Sequence, residues 1–212
     1  PLLILAGAGS GKTRVIAHRI AHLVSSGAAK ADEVVAVTFT NKAAGEMRMR
    51  VESLLDVDCR RMWISTFHAL CARLLRREAP HIGLSRDFVI YDSNDQLTVV
   101  KQAVRQLGLD DSALQPRALL SRISHAKNRM EGPEVFAEGA WNPRDAQIGK
   151  VYALYLAALK EANALDFDDL LLKTVELFEQ SEQVHDFYSR KFRFLMVDEY
   201  QDTNRPQYLL VQ

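Results

Sequence analysis

Leu2-Leu3-Ile4-Leu5-Ala6-Gly7-Ala8-Gly9-Ser10-Gly11-Lys12-Thr13 joins an apolar run to a loop of small residues, and helix-periodic sequence follows. Strand, small-residue loop and helix in that order form a cradle for phosphate. The loop leaves backbone N–H groups free to point at phosphate oxygens, Lys12 reaches the β and γ phosphates, and the Thr13 hydroxyl faces Mg²⁺. Ala6 stands where the pattern has its first glycine, a small cost where no positive φ is required. Ala6, Gly7, Ala8, Gly9, Ser10, Gly11, Lys12, Thr13 and the adjoining Arg14 are therefore the expected nucleotide-binding residues. The competing reading, a glycine-rich turn ahead of an ordinary helix, is disfavoured by the strand on one side and the helix on the other.

Apolar or β-rich runs at Leu2–Leu5, Val34–Phe39, Met62–Thr66, Phe88–Tyr91 and Phe194–Val197 alternate with helical patterns, which predicts an α/β fold built on a parallel sheet. Val34-Val35-Ala36-Val37 is continuously apolar, as in a central strand buried on both faces. Asn41 is expected to cap a helix over Lys42–Leu55. From Asp92 to Ala164 the strand signal vanishes, and Leu97, Val100, Val104 and Leu107 fall at helical spacing. That stretch reads as an all-helical subdomain, 92–163, inserted into an α/β domain made of 1–91 and 164–212. Ser93, Asn94 or Asp95 would cap its first helix. Gly108, Pro116, Gly132-Pro133, Gly139 and Asn142-Pro143 would punctuate it, and Tyr152, Tyr155, Leu156 and Leu159 would share one face of its last helix.

The 212 residues carry 27 Lys plus Arg against 27 Asp plus Glu, so any attraction to nucleic acid must be local rather than molecule-wide. Basic residues concentrate between Lys42 and Arg77, acidic ones between Asp166 and Glu182. Arg48, Arg50, Arg73, Arg76 and Arg77 sit at helical spacing and read as a solvated face. Cys59 and Cys71 suit neither a disulfide framework nor a zinc set, and His18 and His22 lack the Glu of a zinc-protease helix. No apolar run approaches the roughly twenty residues that span a bilayer, so a cytoplasmic protein without membrane contact is expected. The chain opens on Pro1 in strand-like sequence and stops in the helix-like Pro206–Gln212, which suggests a piece of something longer.

Phe194-Leu195-Met196-Val197 ends in Asp198-Glu199, an apolar strand followed by two carboxylates. This is the form of a Walker B element. Asp198 would hold Mg²⁺ through water, and Glu199 would orient or deprotonate the attacking water, so hydrolysis is favoured over transfer to a hydroxyl. The structural alternative is a strand ending in an acidic helix cap.

These motifs resemble those of the UvrD/Rep/PcrA-type superfamily 1 DNA helicases along essentially the whole chain. Ala6–Arg14 (AGAGSGKTR) is similar to motif I, Val37–Arg50 (VTFTNKAAGEMRMR) to motif Ia, Ile64–Arg77 (ISTFHALCARLLRR) to motif Ib, and Val197–Asn204 (VDEYQDTN) to motif II. Ala164–Leu170 (ALDFDDL) is similar to a further family signature. The resemblance implies a first RecA-like P-loop NTPase domain with a helical insertion, using ATP and Mg²⁺ and moving 3′ to 5′ on single-stranded DNA. It implies Lys12, Glu199 and Gln201 as the catalytic group, with Gln201 linking the γ-phosphate to the DNA side. Thr13 and Asp198 become the metal ligands, and Arg14 lies alongside the nucleotide. Phe39 becomes a base-stacking ring, and Thr40, Asn41, Thr66 and His68 lie near the DNA. The family's upstream adenine-reading Gln segment and its motifs III to VI are not in the sequence. The arginines that complete the cleft would come from a second RecA-like domain of the full-length protein, so the piece alone is expected to be nearly inactive. Alternatives are the motor of a helicase-nuclease subunit, a non-hydrolytic nucleotide-dependent module, and a P-loop kinase. In the insertion, Lys127, Asn128 and Arg129 are candidate DNA contacts.

Overall fold

A computed structural model describes residues 2–5, 11–56, 59, 62–109, 115–139 and 142–212. The fold is mixed α/β: ten α-helices and five strands lie among the described residues, and every strand pairing is parallel. The chain divides into two compact units, one made of Pro1–Arg73, Ser181–Thr203 and Val211, the other of Leu74–Gln180, Asn204–Leu210 and Gln212.

The first unit holds a three-stranded sheet in the order β2 (Trp63–Thr66), β1 (Val34–Thr38), β5 (Phe194–Val197). β1 is the central strand and every one of its residues is buried, as its continuous apolar run predicts. Alternation along the strand sends Val34 and Ala36 into a core with Ala17, Ile20 and Leu23 of α1 (Lys12–Ser25) and Met47 and Val51 of α2 (Asn41–Leu55). Val35 and Val37, buried as well, face the other side of the sheet. Trp63 packs edge-on against Phe192 at 5.0 Å, after α9 (Glu182–Lys191).

Two strand expectations change. Leu2–Leu5 forms no strand and lies 50–87% exposed, because no described residue offers it a ladder and apolar composition cannot make a strand without one. Phe88–Tyr91 does not join the main sheet. Its Val89–Ile90 (β3) instead pairs with Ala164–Leu165 (β4) in a separate two-stranded ladder of the second unit.

Helix starts differ from expectation by one residue. Thr40, not Asn41, caps α2, its Oγ1 accepting from Ala43 N at 3.1 Å. Asp92, not its three successors, caps α4 (Ser93–Gln106), in a reciprocal capping box with Asp95. The proline signals hold: α5 (Pro116–Asn128), α6 (Pro133–Glu138) and α7 (Pro143–Glu161) each begin on a proline, whose missing N–H would find no helical partner there. Helices α4, α5 and α7 bury Val100, Val104, Leu119, Ile123, Tyr152, Tyr155 and Leu159 in the core of this unit, and Leu156 packs against them partly buried.

Inside the second unit lies a cluster of charges. Lys127 of α5 is 1% exposed and donates to Asp166 Oδ2 at 2.6 Å and Asp169 Oδ1 at 2.7 Å, with Asp169 in α8 (Phe167–Gln180). Asp166 also accepts from the Tyr155 hydroxyl and from Asp169 N, at 2.7 and 2.8 Å. Burial alone would lower the Lys127 pKa, but Asp169 and Asp166 raise it, so the ammonium stays charged. Burial likewise works against charge on Asp166, yet Lys127 and the further donors hold its pKa below the ordinary carboxylate value. Two acids share one cation, and Asp169 has fewer donors. Burial pushes Asp169 up to about 6, with Lys127 opposing the rise and Asp166 adding to it. A raised carboxyl pKa means the folded state binds the proton more tightly than the unfolded chain, so this group's contribution to stability declines as pH rises from about 4 to about 6. Comparing the unfolding free energies of wild type and Asp169→Asn across that window should therefore show wild type losing ground as pH rises, by about 1.4 kcal/mol per unit of pKa difference. A constant difference across the window would assign the proton elsewhere.

Candidate nucleotide and DNA site

The residues expected to bind nucleotide come together in the first unit from segments that are far apart in sequence. Gly11 is the N-cap of α1 with φ +88°, in the left-handed region that glycine enters without a Cβ penalty. The first N–H groups of α1 are left without helical partners at that end, where the positive end of the helix dipole favours an anion. A Cβ built at Gly11 would lie 3.7 Å from Arg14 Nε, so Arg14 folds back over the start of α1 although it is exposed. Ala6, Gly7, Ala8, Gly9 and Ser10 lie outside the described residues.

Across from α1, β5 ends at Val197, and Asp198 N donates to Val37 O at 2.9 Å, extending the ladder by one residue. This pins the Asp198 carboxylate at the strand end, only 4% exposed. Thr13 Oγ1 donates to Asp198 Oδ2 at 2.8 Å, across 185 positions of sequence. Lys12 Nζ lies 3.7 Å from Glu199 Oε2. A buried carboxylate and a hydroxyl side by side at a helix start are the hard oxygen donors that Mg²⁺ takes. The residues present therefore fit that ion.

After Asp198 the backbone kinks sharply. Glu199 has φ +52°, an uncommon conformation for a residue with a side chain, and costs of this kind are about 1–3 kcal/mol. The kink sends the chain into a 3-10 turn at Tyr200–Asp202, and Gln201 Nε2 donates back to Glu199 Oε2. Lys12 and Gln201 thus both approach the Glu199 carboxylate.

The expected DNA residues gather at the ends of β1 and β2. Phe39 follows β1, partly exposed, with its ring 5.7 Å from that of Phe67 at the start of α3 (Phe67–Glu78). Asn41 is exposed in the first turn of α2, and His68 is partly exposed in the first turn of α3. Thr66, nearly buried at the end of β2, caps α3 by accepting from Ala69 N at 3.2 Å, as Thr40 caps α2. Each hydroxyl keeps its own proton for donation.

Arg50, Arg73, Arg76 and Arg77 are exposed and Arg48 is partly so, as their spacing suggests, yet three of them also engage other elements. Arg73 stacks over Trp63 at 3.6 Å, Arg76 over Phe88 at 3.7 Å, and Arg48 donates to Ile64 O at 2.6 Å. The guanidinium groups of Arg73 and Arg76 thus cover aromatic faces while staying exposed, and that of Arg48 meets a strand carbonyl. Lys127 is enclosed by carboxylates and so is no DNA contact, whereas Arg129 is exposed beside Glu131. Sequence reasoning missed the Lys127 cluster and the Asn128 contacts, and the acid-rich ALDFDDL stretch was their only signal. His18 and His22 are exposed on α1, and both cysteines are buried. No helix among the described residues is long and apolar enough to cross a membrane.

The sequence profile of the UvrD/REP helicase N-terminal domain matches residues 1–212. Over its whole length the chain is 49% identical to the ATP-dependent DNA helicase PcrA of Bacillus subtilis, covering 29% of that protein. It is 48% identical to PcrA of Leuconostoc citreum, covering 28%, and 44% identical to PcrA of Staphylococcus epidermidis, covering 29%. The chain spans less than a third of the length of these relatives. The loop-to-helix start, the Asp198-Glu199 strand end and the full-length match agree: the chain belongs to the UvrD/REP helicase N-terminal domain family.

Proposed function

We propose that the chain is the first RecA-like motor portion of an ATP-dependent DNA helicase, binding Mg-ATP and single-stranded DNA and moving 3′ to 5′, with 92–163 as its inserted helical subdomain. The observation that carries the reading is the 2.8 Å approach of Thr13 to Asp198 beside the Lys12–Glu199 pair. The name borne by the relatives, ATP-dependent DNA helicase, supports it.

In this reading the amides of Ala6–Gly11 and the Lys12 ammonium bind the phosphates, with Arg14 alongside. Thr13 and Asp198 hold Mg²⁺, which when bound neutralises phosphate oxygens and orients them for attack. Glu199 accepts a proton from the attacking water or aligns it, and Gln201, hydrogen-bonded to Glu199, reports the state of that carboxylate to the DNA side. Phe39 offers a stacking face to a base, and Thr40, Asn41, Thr66 and His68 place small polar groups beside it. The remaining charge stabilisation comes from arginines of a second RecA-like domain, worth about 10³–10⁵ in rate, so the 212-residue chain alone hydrolyses ATP very slowly and unwinds no duplex.

Titration with oligothymidine tests the DNA half of the proposal. Phe39→Ala should weaken binding by about 1–3 kcal/mol, the scale of one base-aromatic stack, with ATP affinity unchanged. Equal oligothymidine affinity in wild type and variant removes the stacking role. Fast DNA-stimulated turnover by the 212-residue chain removes the requirement for a second domain.

A further inference from the structure

Among the described strands β2 has a ladder partner on one side only, and an arginine closes its other side. Val37 O accepts from Asp198 N, so Val37 turns its backbone groups to β5, while Ala36 and Thr38 turn theirs to β2. Ala36 is in register with Ile64, and in a parallel ladder a residue bonds the groups on either side of its register partner. The carbonyl of Ile64 therefore points to the edge of β2 that no described strand covers. Arg48 of α2 meets it there, Nη2 donating to Ile64 O at 2.6 Å. The same guanidinium keeps its Nε buried with no hydrogen-bond partner among the described residues. A buried N–H left unpaired subtracts from stability, so placement is the gain that accounts for an arginine here.

That bond closes a ring of contacts that lies wholly in the first unit. Thr38 and Thr66 are register partners, which makes the residues after them, Phe39 and Phe67, neighbours at the strand ends. Their rings stand 5.7 Å apart at 57°. Phe67 is 1% exposed and forms a fixed wall, whereas Phe39 is partly exposed and keeps an open face. After Phe39 the chain runs through the Thr40 cap into α2 and so to Arg48, and before Phe67 it runs back through the Thr66 cap to Ile64. We propose that Arg48 is a positioning residue for single-stranded DNA: by tying β2 to α2 it sets the Phe67 wall against which Phe39 offers its ring to a base. Arg48 itself touches no base or phosphate. It lies in the motif Ia-like segment and Ile64 opens the motif Ib-like one, so a single bond gives the two signatures a shared task. The inference rests on the DNA half of the helicase reading above.

The test measures the oligothymidine affinity of the full-length protein over a range of salt concentrations. Arg48→Met keeps the apolar stem and removes every donor, and it should weaken binding about fivefold, the low end of what one base-aromatic stack is worth. Arg48→Gln, too short to reach Ile64 O, should do the same. Affinity for ATP should stay within about twofold, since no phosphate-binding residue is altered. The denaturation midpoint should stay near that of wild type, because the lost bond is offset by removal of an unpaired buried N–H. Two readouts separate positioning from other roles. If Arg48 acts through Phe39, then adding Arg48→Met to Phe39→Ala should change affinity by less than about twofold, whereas independent effects would multiply. If Arg48 instead met a phosphate, its removal would reduce the salt slope by about one. The inference is overturned if both single variants bind as wild type does, if the losses multiply, if the salt slope falls by about one, or if affinity falls only with the folded fraction. Wild-type affinity in Phe39→Ala would instead overturn the stacking reading, and this inference with it.

Discussion

Glu199→Gln in the full-length protein should lower kcat for ATP by about 10²–10⁴-fold while nucleotide affinity changes by less than about threefold. The substitution keeps the size and the hydrogen-bonding reach of the side chain, so Gln201 and Lys12 retain a partner oxygen. What it removes is a carboxylate able to take a proton. Asp198, buried and already bonded to Thr13, is the metal ligand of the proposed reading and is not expected to substitute. Single-turnover hydrolysis with saturating ATP separates the two effects. Turnover within about threefold of wild type would point to a nucleotide-dependent module that does not need hydrolysis, and Glu199 would lose its role.

Lys127→Ala should be the most destabilising single change outside the nucleotide site, costing about 3–5 kcal/mol, the range for breaking a buried ion pair from one side. The loss comes less from the attraction removed than from what is left behind. Asp166 and Asp169 would remain buried, 2% and 6% exposed, as two acids with no cation between them. Chemical denaturation of the 212-residue chain measures it. Adding Asp169→Asn to Lys127→Ala should recover part of the loss, because one of the stranded charges then disappears. A loss under about 1 kcal/mol, or no recovery in the double variant, would show that solvent reaches the cluster.

What the sequence made legible had a local signal. The strand end at Asp198-Glu199, the central burial of Val34–Val37 and the proline-led helices each lie within a few residues of the pattern that announces them. Helix caps were misplaced by one position at Thr40 and Asp92, since several polar residues in a row all qualify and only backbone geometry chooses among them. Leu2–Leu5 reads as a strand on composition, but ladders are made by neighbours and not by composition. Of the Lys127 cluster only the acids, in ALDFDDL, carried a signal, and nothing linked them to Lys127, 39 and 42 positions away. The arginines of motif Ib read as solvent-facing and are exposed, but helical spacing did not reveal the aromatic faces of Trp63 and Phe88 that Arg73 and Arg76 cover.

The pairing of β1 with β5 bears on how the polypeptide is made. Glu33, just before β1, meets Arg193, just before β5, across 160 positions. A ribosome adding about 5–20 residues per second needs on the order of ten seconds or more to deliver the second strand after the first has emerged. During that interval one edge of a strand that is apolar from Val34 to Val37 waits without its mate, and the nascent protein is most open to aggregation and to chaperone capture.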